Sequence, residues 1–297
     1  MEFFLQQLFN AVSLGGTYAL LALGLAIVFS IMGLINFAHG ELMTITGYTL
    51  YFCGLAGLPF LMAAPVGIAV AIGAALIMER AAFRPVRNAS PATLLVTSFA
   101  VAIILQTLFQ NLISTRPRPV VLPDFLSGTV EIGGFLIGNN QLLSIIVAVG
   151  MMVFLNWFLK NTPVGIAMRG AAEDFSVARL MGVRADAVIA GAFALSGLLA
   201  GVAGILWVSQ RASVDPFMGF TPVVKAFIAS ILGGLGSLTG AVAGGLLLGV
   251  VEIFLTAYLP ESLIEFKEPI GLAFLVCVLL VRPNGLLPAR NLHAEKV

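Results

Sequence analysis

The chain has 297 residues, 60% hydrophobic and 10% charged, with a formal net charge of +1. Soluble domains carry about 25% charged residues and roughly 45–50% apolar ones, so 15 basic and 14 acidic side chains cannot cover a globule of this length in water. A soluble enzyme, a nucleic-acid binder and a disordered chain are excluded together, and a polytopic helical membrane protein remains.

In chain order, no Asp, Glu, Lys or Arg lies between Glu2 and Glu41, Glu41 and Glu79, Arg87 and Arg116, Glu131 and Lys160, Asp186 and Arg211, or Lys225 and Glu252. A bilayer core about 30 Å thick is crossed by about 20 apolar residues in a helix. Each window holds one span, and the second holds two, divided by the turn Gly57-Leu58-Pro59. The windows are continuously apolar rather than alternating, which excludes a β-barrel. The predicted spans are 11–35, 42–58, 60–78, 92–113, 140–159, 187–208, 220–235, 239–258 and 266–281. The fold class is therefore all-α, a transmembrane bundle of about eight or nine spans in a single domain over 1–297. Met1-Glu2-Phe3 lacks the basic region of a signal peptide, so the stretch from Leu14 is expected to stay as the first membrane helix.

Between the first two spans, Asn36-Phe37-Ala38-His39-Gly40-Glu41 sets an amide, an imidazole and a carboxylate side by side. Ionisable groups at membrane depth are costly and face a bundle interior or a watery cavity. Three readings stand here: an interfacial turn with His39 and Glu41 wet, a helix break lining a translocation path or gate, or a proton relay. Farther on, the loop 114–139, with Pro117, Pro119 and Pro123, is longer than ordinary connections and is either functional or irregular.

The segment 160–186 is the strongest local signal. Pro163 opens a helix, Ala171 to Met181 are mostly good helix formers, and Gly182 supplies a stop. Phe175, Ala178, Leu180 and Met181 are expected to share an apolar side, opposite Glu173, Asp174 and Arg179. Such a helix lies on a membrane or docks into a partner's groove.

Gly197 and Gly201, Ala200 and Gly204, Gly240 and Gly244, and Gly245 and Gly249 are spaced for close helix packing. Gly233-Gly234-Leu235-Gly236-Ser237 breaks the pair 220–258, predicting two short helices with a glycine turn or one broken helix whose freed backbone lines a cavity. Lys225 is expected to snorkel outward, and Glu252 to pair with Gln106 or Asn111. Lys267 and Glu268 make the last span the weakest.

Lys and Arg in the connections set the orientation. Arg80, Arg84, Arg87, Lys160, Arg169, Arg179, Arg184, Arg282, Arg290 and Lys296 fall on one side, and Arg116, Arg118, Arg211 and Lys267 on the other. The first side is expected to be cytoplasmic, with 114–139 and the N-terminus outside. Cys53 and Cys277 sit in apolar runs with no metal or disulfide spacing. No phosphate-binding loop occurs, and Gly236-Ser237 has no following lysine. The two histidines, His39 and His293, build no catalytic constellation.

Several stretches together resemble permease subunits of the branched-chain amino acid ABC importers, the LivH-type family. They are Gln7-Leu8-Phe9-Asn10, Ser13 to Leu20, Ile35 to Glu41, Glu79 to Arg87, Met168 to Gly182, Lys225-Ala226-Phe227, Leu232 to Ser237 and Arg282 to Leu286. The resemblance implies a bacterial inner-membrane subunit working with a second, LivM-like permease, two cytoplasmic ATPases and a periplasmic substrate-binding protein. ATP and magnesium then belong to the ATPases, with no cofactor on this chain and no catalytic residue in it. Arg169, Ala172, Glu173, Asp174, Phe175, Arg179 and Gly182 match the region that couples to the ATPase. Asn36, His39, Gly40, Glu41, Gly233, Gly234 and Gly236 are the candidates for the translocation path or gate. The same importer type also serves urea, short amides or other amino acids. An ion-coupled secondary transporter using His39, Glu41 and Glu252 is the alternative of a different class.

Overall fold

The computed structural model describes residues 2–132 and 135–287. The elements are α1 (Glu2–Met32), α2 (His39–Leu55), α3 (Phe60–Met78), α4 (Pro91–Leu112), β1 (Arg118–Pro119), α5 (Asp124–Ser127), β2 (Thr129–Ile132), β3 (Phe135–Gly138), α6 (Asn139–Asn161), α7 (Pro163–Glu173), α8 (Phe175–Leu180), α9 (Ala185–Arg211), β4 (Ser213–Val214), α10 (Phe220–Gly233), α11 (Leu238–Tyr258) and α12 (Lys267–Val281). A π-helical turn, Glu79–Phe83, extends α3, and a 3₁₀ turn, Glu261–Phe266, leads into α12.

Six described helices (α1, α3 with its π turn, α4, α6, α9 and α11) are long and apolar enough to cross a membrane. The predicted spans coincide with helices, and the shifts have local causes. The first helix starts well before residue 11, because Gln6 and Asn10 are held by the outer hairpin and α6: Gln6 Nε2 donates to the Leu136 carbonyl and Gln141 Nε2 to Asn10 Oδ1. It stops before residue 35 because Gly33 turns the chain with φ +65°, a conformation only glycine adopts without strain.

Helix α1 is the axis of the bundle, packed by α9, α10, α11 and α6, with α2 and α3 laid against α9. The small-residue pairs bring backbones into contact, as their spacing predicts. A methyl group at Gly245 would lie 2.5 Å from the Ala19 backbone, and one at Gly249 would lie 2.4 Å from Gly15. Gly197 and Gly201 face Ala71 and Ile68 of α3 in the same way. Close approach replaces the apolar driving force that lipid removes.

Two helices are short because they begin inside the bundle. Helix α2 follows the non-helical stretch 33–38, and α10 follows the bend 212–219. Their first turns abut: a methyl group at Gly219 would sit 1.9 Å from the Gly40 carbonyl oxygen, and the Gly219 N–H donates to Thr44 Oγ1 at 3.1 Å.

The connections sort to two ends. At one, Arg84 and Arg87 bond Asp186, Phe29 lies beside Gly236, and the Leu286 and Leu287 N–H groups donate to the carbonyls of Leu232 and Gly233. This end gathers the basic set read as cytoplasmic; Arg290, His293 and Lys296 lie outside the described residues. At the other end Phe3 meets Tyr258, and Phe4 meets Phe254. There the loop 114–139 is built rather than irregular: β2 and β3 form a hairpin, and β1 pairs antiparallel with β4, Arg118 opposite Val214. The all-α class holds for the spans, while these short strands cap this second end.

Candidate functional site

The stretch 36–41 is buried throughout, which overturns the wet interfacial turn: His39 and Glu41 are 0% exposed and Asn36 is 1%. Each side chain reaches a different helix. His39 Nδ1 shares a hydrogen bond with Ser196 Oγ of α9 at 2.8 Å. Gln106 Nε2 of α4 donates to Glu41 Oε1 at 2.7 Å, and the Phe37 N–H donates to Ser98 Oγ. The Asn36 amide rests on Met78 of α3, and the imidazole edge fills the notch left by Gly24 of α1. The apolar windows gave no sign of which helices these side chains would reach. Asn36 Oδ1, His39 Nε2 and Glu41 Oε2 have no hydrogen-bond partner among the described residues, and an unmet buried polar group costs about 1–3 kcal/mol. The fold tolerates that cost three times between Asn36 and Glu41.

The second glycine group lies elsewhere. Gly234 and Gly236, at φ +110° and +80°, make the turn between two separate helices, α10 and α11. Gly233 is pressed onto Gly240, where a methyl group would lie 2.0 Å from the carbonyl oxygen. Gly236 sits beside Phe29, whereas His39 sits beside Gly24, about 7.5 Å farther along α1 at 1.5 Å per residue. The two candidate groups meet α1 at different levels, with Ile35 and Gly236 lining one small cavity between them.

Lys225 and Glu252 correct their expected roles. Lys225 does not snorkel; its Nζ lies 2.7 Å from Glu252 Oε1 and 3.1 Å from Glu268 Oε1. The Tyr18 hydroxyl donates to Glu252 Oε2 at 2.9 Å. Gln106, expected near Glu252, is on Glu41 instead. Sequence places a polar residue on a span but does not say which neighbour its face meets.

The segment 160–186 folds as two helices rather than the single one expected over 171–181. Thr162 caps α7, its Oγ1 accepting from the Gly165 N–H at 3.0 Å, with Pro163 in the first turn. Arg169 Nε donates to the Leu159 carbonyl at 2.8 Å and fastens α7 to α6. Asp174 then leaves the helical conformation, and its Oδ1 accepts from the Ser176 and Val177 N–H groups at 2.8 and 2.9 Å. It is the N-cap of α8, a signal present in the sequence as Asp before a short helix-forming run. Gly182, φ +86°, ends the unit as expected.

The break also splits the expected apolar side. Ala178 is buried and Phe175 half-buried, while Val177, Leu180 and Met181 project outward, Leu180 being 87% exposed. Ala172, Glu173 and Arg179 are exposed beside them. An open cleft of about 970 Å³ separates α8 from the bundle, lined by Phe175, Arg179, Arg87 and Asp186 among others. Across it, the bonds of Asp186 to Arg84 and Arg87 clamp the start of α9 to the loop after α3.

Comparison with known proteins follows this geometry. The profile described as "Branched-chain amino acid transport system / permease component" matches residues 7–281. The chain is 38% identical over 300 residues to the high-affinity branched-chain amino acid transport system permease protein LivH of Salmonella typhimurium, covering 96% of each. It is 34% identical to the permease protein BraD of Pseudomonas aeruginosa, over 96% of this chain and 95% of that one. It is 26% identical to the permease protein LivM of Escherichia coli, over 91% of this chain and 68% of that one.

Proposed function

Because the chain belongs to the branched-chain amino acid transport permease family, we propose that it is one of two permease subunits of an ATP-driven importer of leucine, isoleucine and valine. The observation that carries this reading is the outward-facing trio Val177, Leu180 and Met181 on a capped helix beyond the spans, in a chain with no nucleotide-binding motif. Exposed apolar groups of this size on a rigid helix suit a groove in a partner. The partner is an ATPase subunit, one of two, and it binds the ATP and magnesium. A periplasmic protein delivers the amino acid to the outer end, and a LivM-like permease completes the membrane unit in the bacterial inner membrane. The likeness to LivM as well as LivH supports such a pairing of related chains.

The mechanism is alternating access, and α9 is its transmission. Closure of the ATPases moves the unit α7–α8, which Arg169 fastens to α6 and which meets α9 where Val164 and Met168 face Gly191. Helix α9 carries Ser196, bonded to His39 at the start of α2, so its displacement reaches the break 33–38 directly. Asn36, His39, Gly40 and Glu41 form the gate, whose unmet polar atoms find partners in another state of the cycle. Gly233, Gly234 and Gly236 form the pivot at the inner end of α10, where backbone packed on backbone lets helices move as units.

Uptake of tritiated leucine into proteoliposomes tests the reading. Uptake that needs ATP, both ATPases, the second permease and the binding protein is expected, with competition by isoleucine and valine. Gradient-driven uptake by this chain alone would sink it in favour of a secondary transporter using His39, Glu41 and Glu252. Competition by urea or short amides instead would retain the importer and reassign its substrate.

A further inference from the structure

The three-way contact of Lys225, Glu252 and Glu268 is not explained by the gate or by the coupling loop. Lys225 lies on α10, Glu252 on α11 and Glu268 in the first turn of α12, with the Tyr18 ring of α1 5.9 Å from the lysine nitrogen. The lysine side chain is 13% exposed and the Glu252 side chain 23%. Charges at this depth in a membrane protein are expensive and cluster where ions or substrates pass. An ion pair between helices adds little over apolar packing of the same volume. Fastening α12 therefore gives a weak reason for three charged groups.

A cavity of about 40 Å³ lies against these charges, and the rest of its wall is Lys267, Gly271 and the aliphatic side chains of Ile228, Leu248, Val251, Leu255, Leu272 and Leu275. Two lysines, two carboxylates and a branched aliphatic wall are complementary to one ligand class. An α-amino acid presents a carboxylate, an ammonium and, for the branched-chain members, an aliphatic side chain. Its carboxylate can replace a glutamate on Lys225, and its ammonium can replace the lysine on Glu252 and Glu268. The protein's own ion pairs mirror the charges of the absent ligand.

We propose that Lys225, Glu252 and Glu268 form a binding site for a zwitterionic aliphatic amino acid, closed here on its own ion pairs. The assignment rests on the importer reading for its substrate class. A void of this size holds water rather than leucine, so the site opens by displacement of α12. That helix buries a single residue, Leu275, along its length, and its displacement exposes little of the core. Lys225 then exchanges Glu268 for the ligand carboxylate, and the aliphatic wall takes the side chain.

The experiment is equilibrium binding of tritiated leucine to the purified permease–ATPase complex in nanodiscs, without the binding protein. Expected is binding displaced by isoleucine and valine, but not by isovalerate or isoamylamine, each of which lacks one of the two charges. Lys225→Gln and Glu268→Gln are each expected to weaken binding at least about tenfold, the loss of one charge-assisted hydrogen bond. Glu268 is half exposed, so its variant is tolerated by the fold. Exchanging the charges, Lys225→Glu with Glu252→Lys, keeps the ion pair between α10 and α11 yet reverses it relative to the aliphatic wall, and binding is lost. Full binding by the exchanged variant or by Glu268→Gln assigns the cluster to fastening α12 and overturns the site. So does displacement by isoamylamine, or no leucine binding to the unaltered complex. Leucine uptake by the complete importer from the same preparation separates the two ideas. Uptake without binding removes the site alone, whereas absence of uptake removes the importer reading.

Discussion

The two half-helices solve the same problem in opposite ways. Helix α2 and helix α10 both begin inside the bundle, and their first turns touch at Gly40 and Gly219. Around the start of α2 the polar atoms are wholly buried, two of them reach neutral partners on α9 and α4, and three are left unmet. Around α10 the polar atoms are charged, paired with one another, and partly open to the outer side of the bundle. The first arrangement is set by the fold and waits for new partners; the second is already satisfied and has partners to exchange. A gate needs the former and a binding site the latter.

The difference can be broken first where the halves meet. Gly40→Val puts a side chain where a methyl group alone would be 2.4 Å from the Gly219 carbonyl oxygen. Overpacking of this kind costs about 1–3 kcal/mol and more where backbone must move, so the variant is expected to lose folded protein by size-exclusion chromatography. At α10, Lys225→Met leaves Glu252 without its cation, and because the pair is part-exposed, at 13% and 23%, the loss is expected to fall below the roughly 3–5 kcal/mol of a fully buried pair. The double change with Glu252→Met should recover most of the melting temperature while transport stays lost. At α2, Gln106→Leu removes the amide that donates to Glu41 Oε1, and about 1–3 kcal/mol of stability is expected to go with it; Glu41→Gln, which keeps a hydrogen bond to Gln106, should cost less in thermal melts. The smallest effect is expected away from both: Asp174→Ala removes the cap of α8 for about 1 kcal/mol. Its melting curve should barely shift while uptake falls, because α8 frays.

Most of the spans were legible because lipid punishes charge, and the charge-free windows mark where the chain crosses. The ends were less so. Gln6 and Asn10 lie before the start expected at residue 11 and are helical because the hairpin β2–β3 and α6 supply their partners. The buried pairs were hardly legible at all. Glu41 with Gln106, His39 with Ser196, and Lys225 with Glu252 and Glu268 each join helices distant in sequence. A uniformly apolar helix has no polar face from which to read the direction of its few polar side chains. The break at Asp174 was legible and outweighed by helix propensity on either side, a local capping signal overriding a longer pattern.

In the proposed mechanism, motion of the segment 160–186 is converted into transport through α9. The ratio of leucine imported to ATP hydrolysed, in proteoliposomes holding the complete importer, tests it most directly. Gly182→Pro is the informative variant, since proline cannot adopt the φ of +86° that ends α8, and Glu173→Lys is its companion on the exposed face. Both are expected to insert and assemble, to hydrolyse ATP, and to import several-fold less leucine per ATP. An unchanged ratio in both variants would contradict the account.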